Sequence, residues 1–314
     1  MNKREAMLSL LEPNQYPPYT PAAFFLHFDP SFHTGQAAVE KHLEFFRYTG
    51  MDFIKIQYER VFPRLESIRK PADWANMPFY DLDFYAAQLD VVEGLVKAAK
   101  KEALVLLTLY SPFMCAAHTV GEGLLVQHIQ ENPEQVKKGM QIITESLLGF
   151  VRAAIERGLD GFYHSTQGGE YGRFNSPELF NECIRPYDLT LMKEINRETI
   201  FNILHVCDYR LPYQDLSPFV DYPGDVVNTN LKLVDRNMTP KEVERLFGRP
   251  YMGGLDRHGV LASGSPTGVA QTAAGVLYEA PKRFILGADC TVPSETSWDN
   301  LRSAIRTAHE RKLK

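Results

Sequence analysis

The sequence predicts a (β/α)8 TIM barrel of the α/β class, and three observations lead to that fold class. Short apolar runs alternate with amphipathic stretches of helical length, which is typical of βα units around a parallel sheet. There are eight such runs, and a helix-like stretch follows all of them except the fifth. No G-x-G-x-x-G turn follows the first run, which disfavours a doubly wound open sheet. We therefore expect one barrel domain over residues 1–314, whose residues 1–20 are an N-terminal extension.

The predicted elements follow in order along the chain. The strands are short and are expected at 22–28, 52–58, 103–110, 161–165, 200–205, 225–230, 250–253 and 283–286. The helices are expected at 36–48, 83–101, 133–158, from about 176, from about 239, at 267–278 and at 298–311. Asn132 and Pro133 suit the N-cap and first position of the third helix. The preceding stretch, 111–121, is predicted to be a loop.

Composition and charge exclude several kinds of partner. Hydrophobic residues make up 44% and charged residues 23%, so the chain can bury a large core. Thirty-four Lys and Arg against 39 Asp and Glu give a net charge of −5, without a basic stripe, which argues against nucleic acid. The charged N-terminus resembles no signal peptide, and no apolar run approaches membrane-spanning length. We expect a cytoplasmic protein with no membrane partner.

Four cysteines are too few to indicate a disulfide framework in a chain of this length. In a reducing compartment they remain available as ligands, nucleophiles or core residues. Cys115, in the predicted loop, and Cys183, in a predicted helix, are expected to serve packing alone.

A metal site is suggested by His205 and Cys207, where the fifth run ends. Successive side chains of a strand alternate faces, so these two point the same way. Cys290 follows the eighth run, and in a barrel both strand ends face one cavity. One imidazole and two thiolates suit zinc with an open fourth position. The alternative is that both cysteines are small core residues and His205 a satisfied polar neighbour.

Five further polar residues lie near predicted strand ends and are candidates for substrate binding. They are Glu59, Gln167, Glu170, Asn228 and Asp256. Glu59 suits a substrate contact or a solvated ion pair equally well. Glu170 follows two glycines and is a candidate fourth zinc ligand, an acid/base or a solvated carboxylate. Two glycines also precede Asp256, which lets the backbone approach a ligand closely.

Several stretches together resemble the uroporphyrinogen decarboxylase superfamily. They are DGFYHSTQGGE (160–170), ILHVCD (203–208), YPGDVVNTN (222–230), GGLD (253–256) and FILGADCTVPSETSWDNLRSAI (284–305). The resemblance implies a (β/α)8 barrel and one of two activities. One branch decarboxylates tetrapyrrole acetates without a cofactor. The other uses zinc to move a methyl group between a corrinoid and a thiol, and its H-x-C and distant Cys correspond here to His205, Cys207 and Cys290.

The resemblance to the decarboxylase branch is weaker. Its arginine-rich MRQAGRY motif is missing, because the corresponding AAFFLHFDPSFHTG contains no arginine, and IKIQYER replaces its F-S-D-I-L motif. Its C-terminal histidine corresponds to Cys290, and Arg60 and Arg64 are few cations for a polycarboxylate.

The resemblance therefore implies a zinc-dependent methyltransferase with a corrinoid, either methylcobalamin or a corrinoid protein, as substrate or partner cofactor and a thiol or similar molecule as acceptor. A corrinoid protein is a possible partner, and the oligomeric state stays open. Asp208 or a strand-end amide is expected to orient His205. The alternatives are uroporphyrinogen decarboxylase and a non-catalytic barrel that binds a corrinoid or tetrapyrrole.

Overall fold

The computed structural model describes residues 2–13 and 15–313, and its centre is a sheet of seven parallel strands. The strands are β1 (Phe53–Ile56), β2 (Leu104–Tyr110), β3 (Gly161–Thr166), β4 (Ile203–Val206), β5 (Val226–Thr229), β6 (Tyr251–Leu255) and β7 (Phe284–Ala288). They pair in chain order from β1 to β7. Nearly every strand residue is buried, as expected for a parallel sheet covered on both faces. The α/β barrel predicted from the sequence is confirmed.

An extended segment, residues 21–28, fills the eighth position of the barrel between β7 and β1. The Ala23 N–H donates to the Leu286 carbonyl (3.0 Å), and the Leu286 N–H donates to the Pro21 carbonyl (2.8 Å). On the other side, the Asp52 N–H donates to the Ala22 carbonyl (3.0 Å). The prediction of a regular strand at 22–28 is wrong, because the Asp52 carboxylate takes the Ala22 N–H that a strand carbonyl would otherwise accept.

Helices surround the sheet in the order expected of βα units. They are α1 (Lys3–Leu8), α2 (Gly35–Thr49), α3 (Leu82–Ala99), α4 (Pro112–Val120), α5 (Glu122–Glu131), α6 (Pro133–Glu156), α7 (Glu178–Cys183), α8 (Arg185–Glu198), α9 (Pro240–Phe247), α10 (Val260–Ser263), α11 (Pro266–Glu279) and α12 (Trp298–Glu310). The pairs α2 with α3, α3 with α6, α6 with α8 and α11 with α12 pack side by side. None of the helices in the described residues combines the length and apolarity needed to cross a membrane.

The predicted loop at 111–121 is instead a helix, α4. The Ser111 hydroxyl accepts the Met114 N–H at 3.3 Å, and Pro112 occupies the first helical turn, where its missing N–H costs nothing. The helix ends at Gly121, whose φ of 89° redirects the chain into α5. Cys115 therefore lies on a helix and is buried.

One buried carboxylate, Asp52, holds the closure of the barrel together. It accepts hydrogen bonds from the Tyr19 hydroxyl (2.8 Å) and the Ala22 N–H (2.7 Å), and it pairs with the His309 imidazole (2.8 Å). The carboxylate thus ties the N-terminal segment and α12 to the start of β1. It has no solvent exposure, so these partners replace its hydration.

We predict that Asp52→Ala lowers the free energy of unfolding by about 3 kcal/mol, because it leaves a buried N–H and hydroxyl without their acceptor. Urea unfolding followed by circular dichroism measures this. Asp90→Ala is the matched control, since Asp90 is exposed on α3, and should change stability by less than about 0.5 kcal/mol. Equal effects of the two substitutions would contradict this role of Asp52.

Candidate functional site

The structure brings His205, Cys207 and Cys290 together at the C-terminal end of the barrel. His205 lies in β4, and the Cys207 N–H donates to the Thr166 carbonyl at 3.0 Å, which continues the ladder one residue past the strand. Both side chains therefore point inward. Cys290 comes two residues after β7. All three are buried, and their ligand atoms lie within 4.8 Å of one another. We call these three residues the HCC cluster.

The imidazole of His205 is buried without a hydrogen-bond partner. Within the described residues neither of its ring nitrogens has one. The centroid of the Tyr163 ring lies 5.0 Å from that of the His205 ring. Buried polar atoms are usually satisfied, so an unpaired imidazole beside two thiols is a feature that a bound metal ion explains. The donor set and its burial fit zinc.

The two thiols of the cluster shift each other's pKa in opposite directions. The pKa of Cys290 lies well below its usual value, mainly because the Cys207 thiol donates a hydrogen bond to it, with His205 close by. The pKa of Cys207 is correspondingly raised. The Gln167 amide donates to the Cys207 sulfur at 3.4 Å. The lowered pKa favours the thiolate form of Cys290, which is the form that binds a metal ion.

An ion-pair bridge holds the two loops that carry the cysteines. Arg257 donates to Asp208 at 3.0 Å and makes a short contact with Asp289, and these aspartates are the sequence neighbours of Cys207 and Cys290. Asn230 donates to the same two carboxylates, at 2.6 and 3.2 Å. The structure does not show the expected orientation of His205 by Asp208 or a strand-end amide: neither imidazole nitrogen has a partner among the described residues, and the Asp208 carboxylate accepts from Arg257 and Asn230 instead.

The HCC cluster lines a cavity of about 760 Å3 that opens to solvent. Buried residues form its inner wall, and exposed residues, among them Arg64 and Arg210, form its mouth. Other lining residues are His27, Lys55, Gln57, Thr108, Tyr110, Met114, His118, Glu122, Tyr163, Ser165, Gln167, His258 and residues 291–295. Of the residues singled out in the sequence for substrate binding, only Gln167 lies among them.

The other four candidates lie elsewhere. Glu59 pairs with His27 at 2.9 Å beside the cavity. Asn228 is fully buried, and its amide donates to two backbone carbonyls at 2.9 and 3.0 Å. Glu170 is buried against Arg173 and accepts the Gly168 N–H at 2.7 Å, which leaves it away from the HCC cluster.

Asp256 is partly exposed on the surface. It pairs with the Lys232 ammonium at 2.7 Å and accepts the His258 N–H at 2.8 Å. Asp256 and His258 belong to an exposed turn after β6, and Lys232 lies after β5, so the two glycines before Asp256 do not bring its carboxylate to the cavity wall.

Sequence reasoning missed Lys55, which is 5% exposed on the inner wall. Its ammonium donates to the Gln57 side-chain oxygen at 2.7 Å and lies 4.4 and 4.5 Å from the ring centres of Phe25 and Tyr163. Burial lowers the pKa of Lys55 to about 7, against the opposing effect of Cys290 and Glu59. The available signal was strand alternation, which places Lys55 on the same face as Gln57.

Comparisons with known proteins agree on the fold. The model of the uroporphyrinogen decarboxylase (URO-D) family matches residues 47–311. The structure is similar to a methyltransferase from Methanosarcina mazei, with 13% identity, 99% of both chains covered and a TM-score of 0.76. A B12-independent methionine synthase from Shewanella sp. is also similar, with 12% identity, 93% of both chains covered and a TM-score of 0.56. No curated protein sequence gives a significant match.

We predict that iodoacetamide modifies Cys290 of the metal-free protein first. Cys290 lines the cavity and its pKa is lowered, whereas burial raises the pKa values of Cys115 and Cys183 to about 12 and about 11. Because only the thiolate reacts, Cys290 should be labelled at least about a hundredfold faster at pH 7. Peptide mass spectrometry over time measures this, with urea-unfolded protein as the control in which the difference disappears. Faster labelling of Cys115 or Cys183 would contradict the assignment.

Proposed function

The chain belongs to the uroporphyrinogen decarboxylase family, and on that premise we propose that it is a zinc-dependent enzyme that moves a methyl group between a corrinoid and a thiol. The observation that carries the proposal is the buried HCC cluster, whose ligand atoms lie within 4.8 Å of one another at the wall of a large cavity. Fold similarity to a protein described as a methyltransferase supports the same reaction class.

The residues present fit a catalytic zinc site. His205, Cys207 and Cys290 would hold the ion, and three protein ligands leave a fourth position for substrate. Zinc bound there would lower the pKa of a substrate thiol so that it is a thiolate at neutral pH. The described residues place no further carboxylate, histidine or cysteine in this ligand group.

The surrounding residues would prepare the thiol for reaction. The Gln167 amide donates to the Cys207 sulfur and so restricts its position, while Arg257 links the loops of both cysteines. Rings such as those of Tyr110 and Tyr163 line the cavity and limit water around the reacting sulfur.

Methyl transfer forms one bond in the thiol substrate and breaks one bond in the corrinoid substrate. The thiolate sulfur attacks the methyl carbon of the corrinoid, a sulfur–carbon bond forms, and the cobalt–carbon bond breaks with its electron pair left on cobalt. The thiol proton leaves to solvent. We propose that the corrinoid, free or carried by a partner protein, approaches through the cavity mouth. A cytoplasmic location suits the four free cysteines.

We predict that purified protein holds about one zinc ion per chain, and that His205→Ala, Cys207→Ser and Cys290→Ser each lose it, because removal of one of three ligands weakens binding at least about tenfold. Elemental analysis after dialysis measures the zinc. Cys115→Ser and Cys183→Ser are matched controls, since these cysteines lie outside the ligand group, and should keep the metal. Zinc-free protein, or loss of metal in the controls alone, would refute the assignment.

We further predict that the zinc-loaded protein demethylates methylcobalamin in the presence of a suitable thiol, and that the three ligand substitutions abolish this. The visible spectrum of the corrinoid follows the reaction. Coproporphyrinogen formation from uroporphyrinogen that survives chelators would instead favour the decarboxylase. Corrinoid binding without methyl loss would favour a non-catalytic barrel. Thiol methylation from a non-corrinoid donor alone would keep the zinc–thiol half of the proposal and overturn the corrinoid half.

A further inference from the structure

We propose that His27 and Glu59 form an acid–base dyad at the mouth of the cavity, in which His27 takes the proton of the thiol substrate. The inference rests on the proposed function for the identity of the proton donor. The two residues lie outside the HCC cluster and take no part in holding a metal ion. His27 lines the cavity, and its ring nitrogen Nδ1 lies 2.9 Å from the Glu59 carboxylate.

The segment that closes the barrel places His27 beside the HCC cluster. The Val292 N–H donates to the Phe25 carbonyl at 2.8 Å, so this segment lies against the chain that carries Cys290. The Phe25 ring packs edge-on against the Tyr163 ring, with 5.7 Å between centroids, so Phe25 points into the barrel. Side chains two residues apart in an extended chain share a face, and His27 therefore points the same way, nearer the mouth.

The contact with Glu59 determines which nitrogen of His27 can accept a proton. Burial opposes ionisation of Glu59, but the hydrogen bond from His27 and the nearness of His33 and His42 hold its pKa below the usual value. An ionised carboxylate only accepts hydrogen bonds, so Nδ1 of His27 carries the hydrogen of this contact. The lone pair of the neutral imidazole is therefore on Nε2, the nitrogen that Glu59 leaves free for a ligand in the cavity.

Contacts on both sides of Glu59 keep its carboxylate in place. Its backbone N–H donates to the Gln88 side-chain oxygen at 3.1 Å, which ties the residue to α3. Its second carboxylate oxygen lies 3.6 Å from Nδ1 of His33, whose Nε2 donates to the Phe28 carbonyl at 2.9 Å. His33 does not line the cavity, so of the two histidines beside Glu59 only His27 faces a ligand there.

The dyad gives the thiol proton a route to solvent. The sulfur–hydrogen bond breaks, the electron pair stays on sulfur, and the proton goes to Nε2 of His27. The Glu59 carboxylate stabilises the imidazolium that forms. Because the His27 side chain is 38% exposed, the imidazolium returns to the neutral form by releasing its proton to water.

Other titratable groups on the cavity wall are less suited to this role. Lys55 is only 5% exposed, so a proton that it accepts has no direct way to water. Burial lowers the pKa of His118, and the nearby Arg210 adds to that shift, which makes this imidazole a weaker base. Glu122 is held in an ion pair by Arg173. His27 combines a carboxylate partner, a place on the wall and access to solvent.

The test follows the proton that appears when zinc-loaded protein is mixed with 2-mercaptoethanol, a neutral thiol, in weakly buffered solution with a pH indicator. Wild-type protein should release its proton rapidly in a stopped-flow instrument. His27→Gln should slow the release about a hundredfold, as expected for loss of a general base, while zinc content and the equilibrium affinity for the thiol stay unchanged. Glu59→Gln keeps the shape but removes the charge, and should slow the release by a smaller factor.

His33→Gln is the matched control, because it removes the other histidine beside Glu59 and lies off the cavity wall, and it should keep the wild-type rate. Added imidazole should restore fast release in His27→Ala, since the small base fits the space left by the side chain, whereas a purely structural defect would not respond. Equal rates in wild type and His27→Gln, or an equal loss in His33→Gln, would overturn the dyad and leave the proposed function intact.

A second measurement needs neither zinc nor a thiol. Nitrogen NMR of metal-free, isotope-labelled protein should find neutral His27 with its hydrogen on Nδ1, whereas in Glu59→Ala the ring should exchange between its two tautomers. If no thiol binds but this tautomer is found, the dyad stands as the base of the cavity and the proposed function fails. A hydrogen on Nε2 of neutral His27 would overturn the dyad whether or not a thiol binds.

Discussion

Closure of the barrel by residues 21–28 is the constraint on which the site depends. The segment bonds to β7 through Leu286 and, beyond the strand, the Val292 N–H donates to the Phe25 carbonyl at 2.8 Å. These contacts bracket Cys290 and fix the direction in which the chain leaves β7. The parallel order of the strands does the same for Cys207 after β4. Residues distant in sequence meet in one cavity because both strands end at the same rim.

The buried polar side chains on the inner wall of this cavity lower the free energy of unfolding. Among the described residues, both ring nitrogens of His205 and the amide nitrogen of Gln57 are buried without a hydrogen-bond partner, and burial disfavours the charged form of Lys55. An apolar barrel interior would avoid these penalties. The rest of the molecule offsets them, since one continuous apolar core joins the sheet to the surrounding helices. Several buried polar groups without hydrogen-bond partners on one cavity wall are expected where bound ligands supply the missing partners.

Much of the fold was predictable because it rests on periodic patterns. Seven of the predicted apolar runs form strands β1 to β7. The three residues of the HCC cluster, at the ends of β4 and β7, lie together as strand alternation and barrel topology predict. The first apolar run does not form a regular strand, because the Asp52 carboxylate accepts the Ala22 N–H in place of a carbonyl of a neighbouring strand. The stretch 111–121 was predicted to be a loop, although Ser111 caps helix α4 there.

Predictions for single polar residues were less successful, because partners distant in sequence determine where such residues point. Glu170 is held by Arg173, and Asp208 by Arg257, two contacts that no spacing rule reveals. Lys55 was not singled out because it lies inside the predicted strand at 52–58, whereas the candidates were sought near strand ends. The sequence gives one indication of the ion pairs made by Arg257, because an aspartate is adjacent to each of the two cysteine ligands.

X-ray absorption at the zinc edge tests the central claim most directly. The account predicts two sulfur neighbours at about 2.3 Å and one histidine nitrogen at about 2.0 Å in the loaded protein, and a third sulfur on addition of a thiol. A shell of only nitrogen and oxygen, or a sulfur number that stays the same when thiol is added, would contradict it.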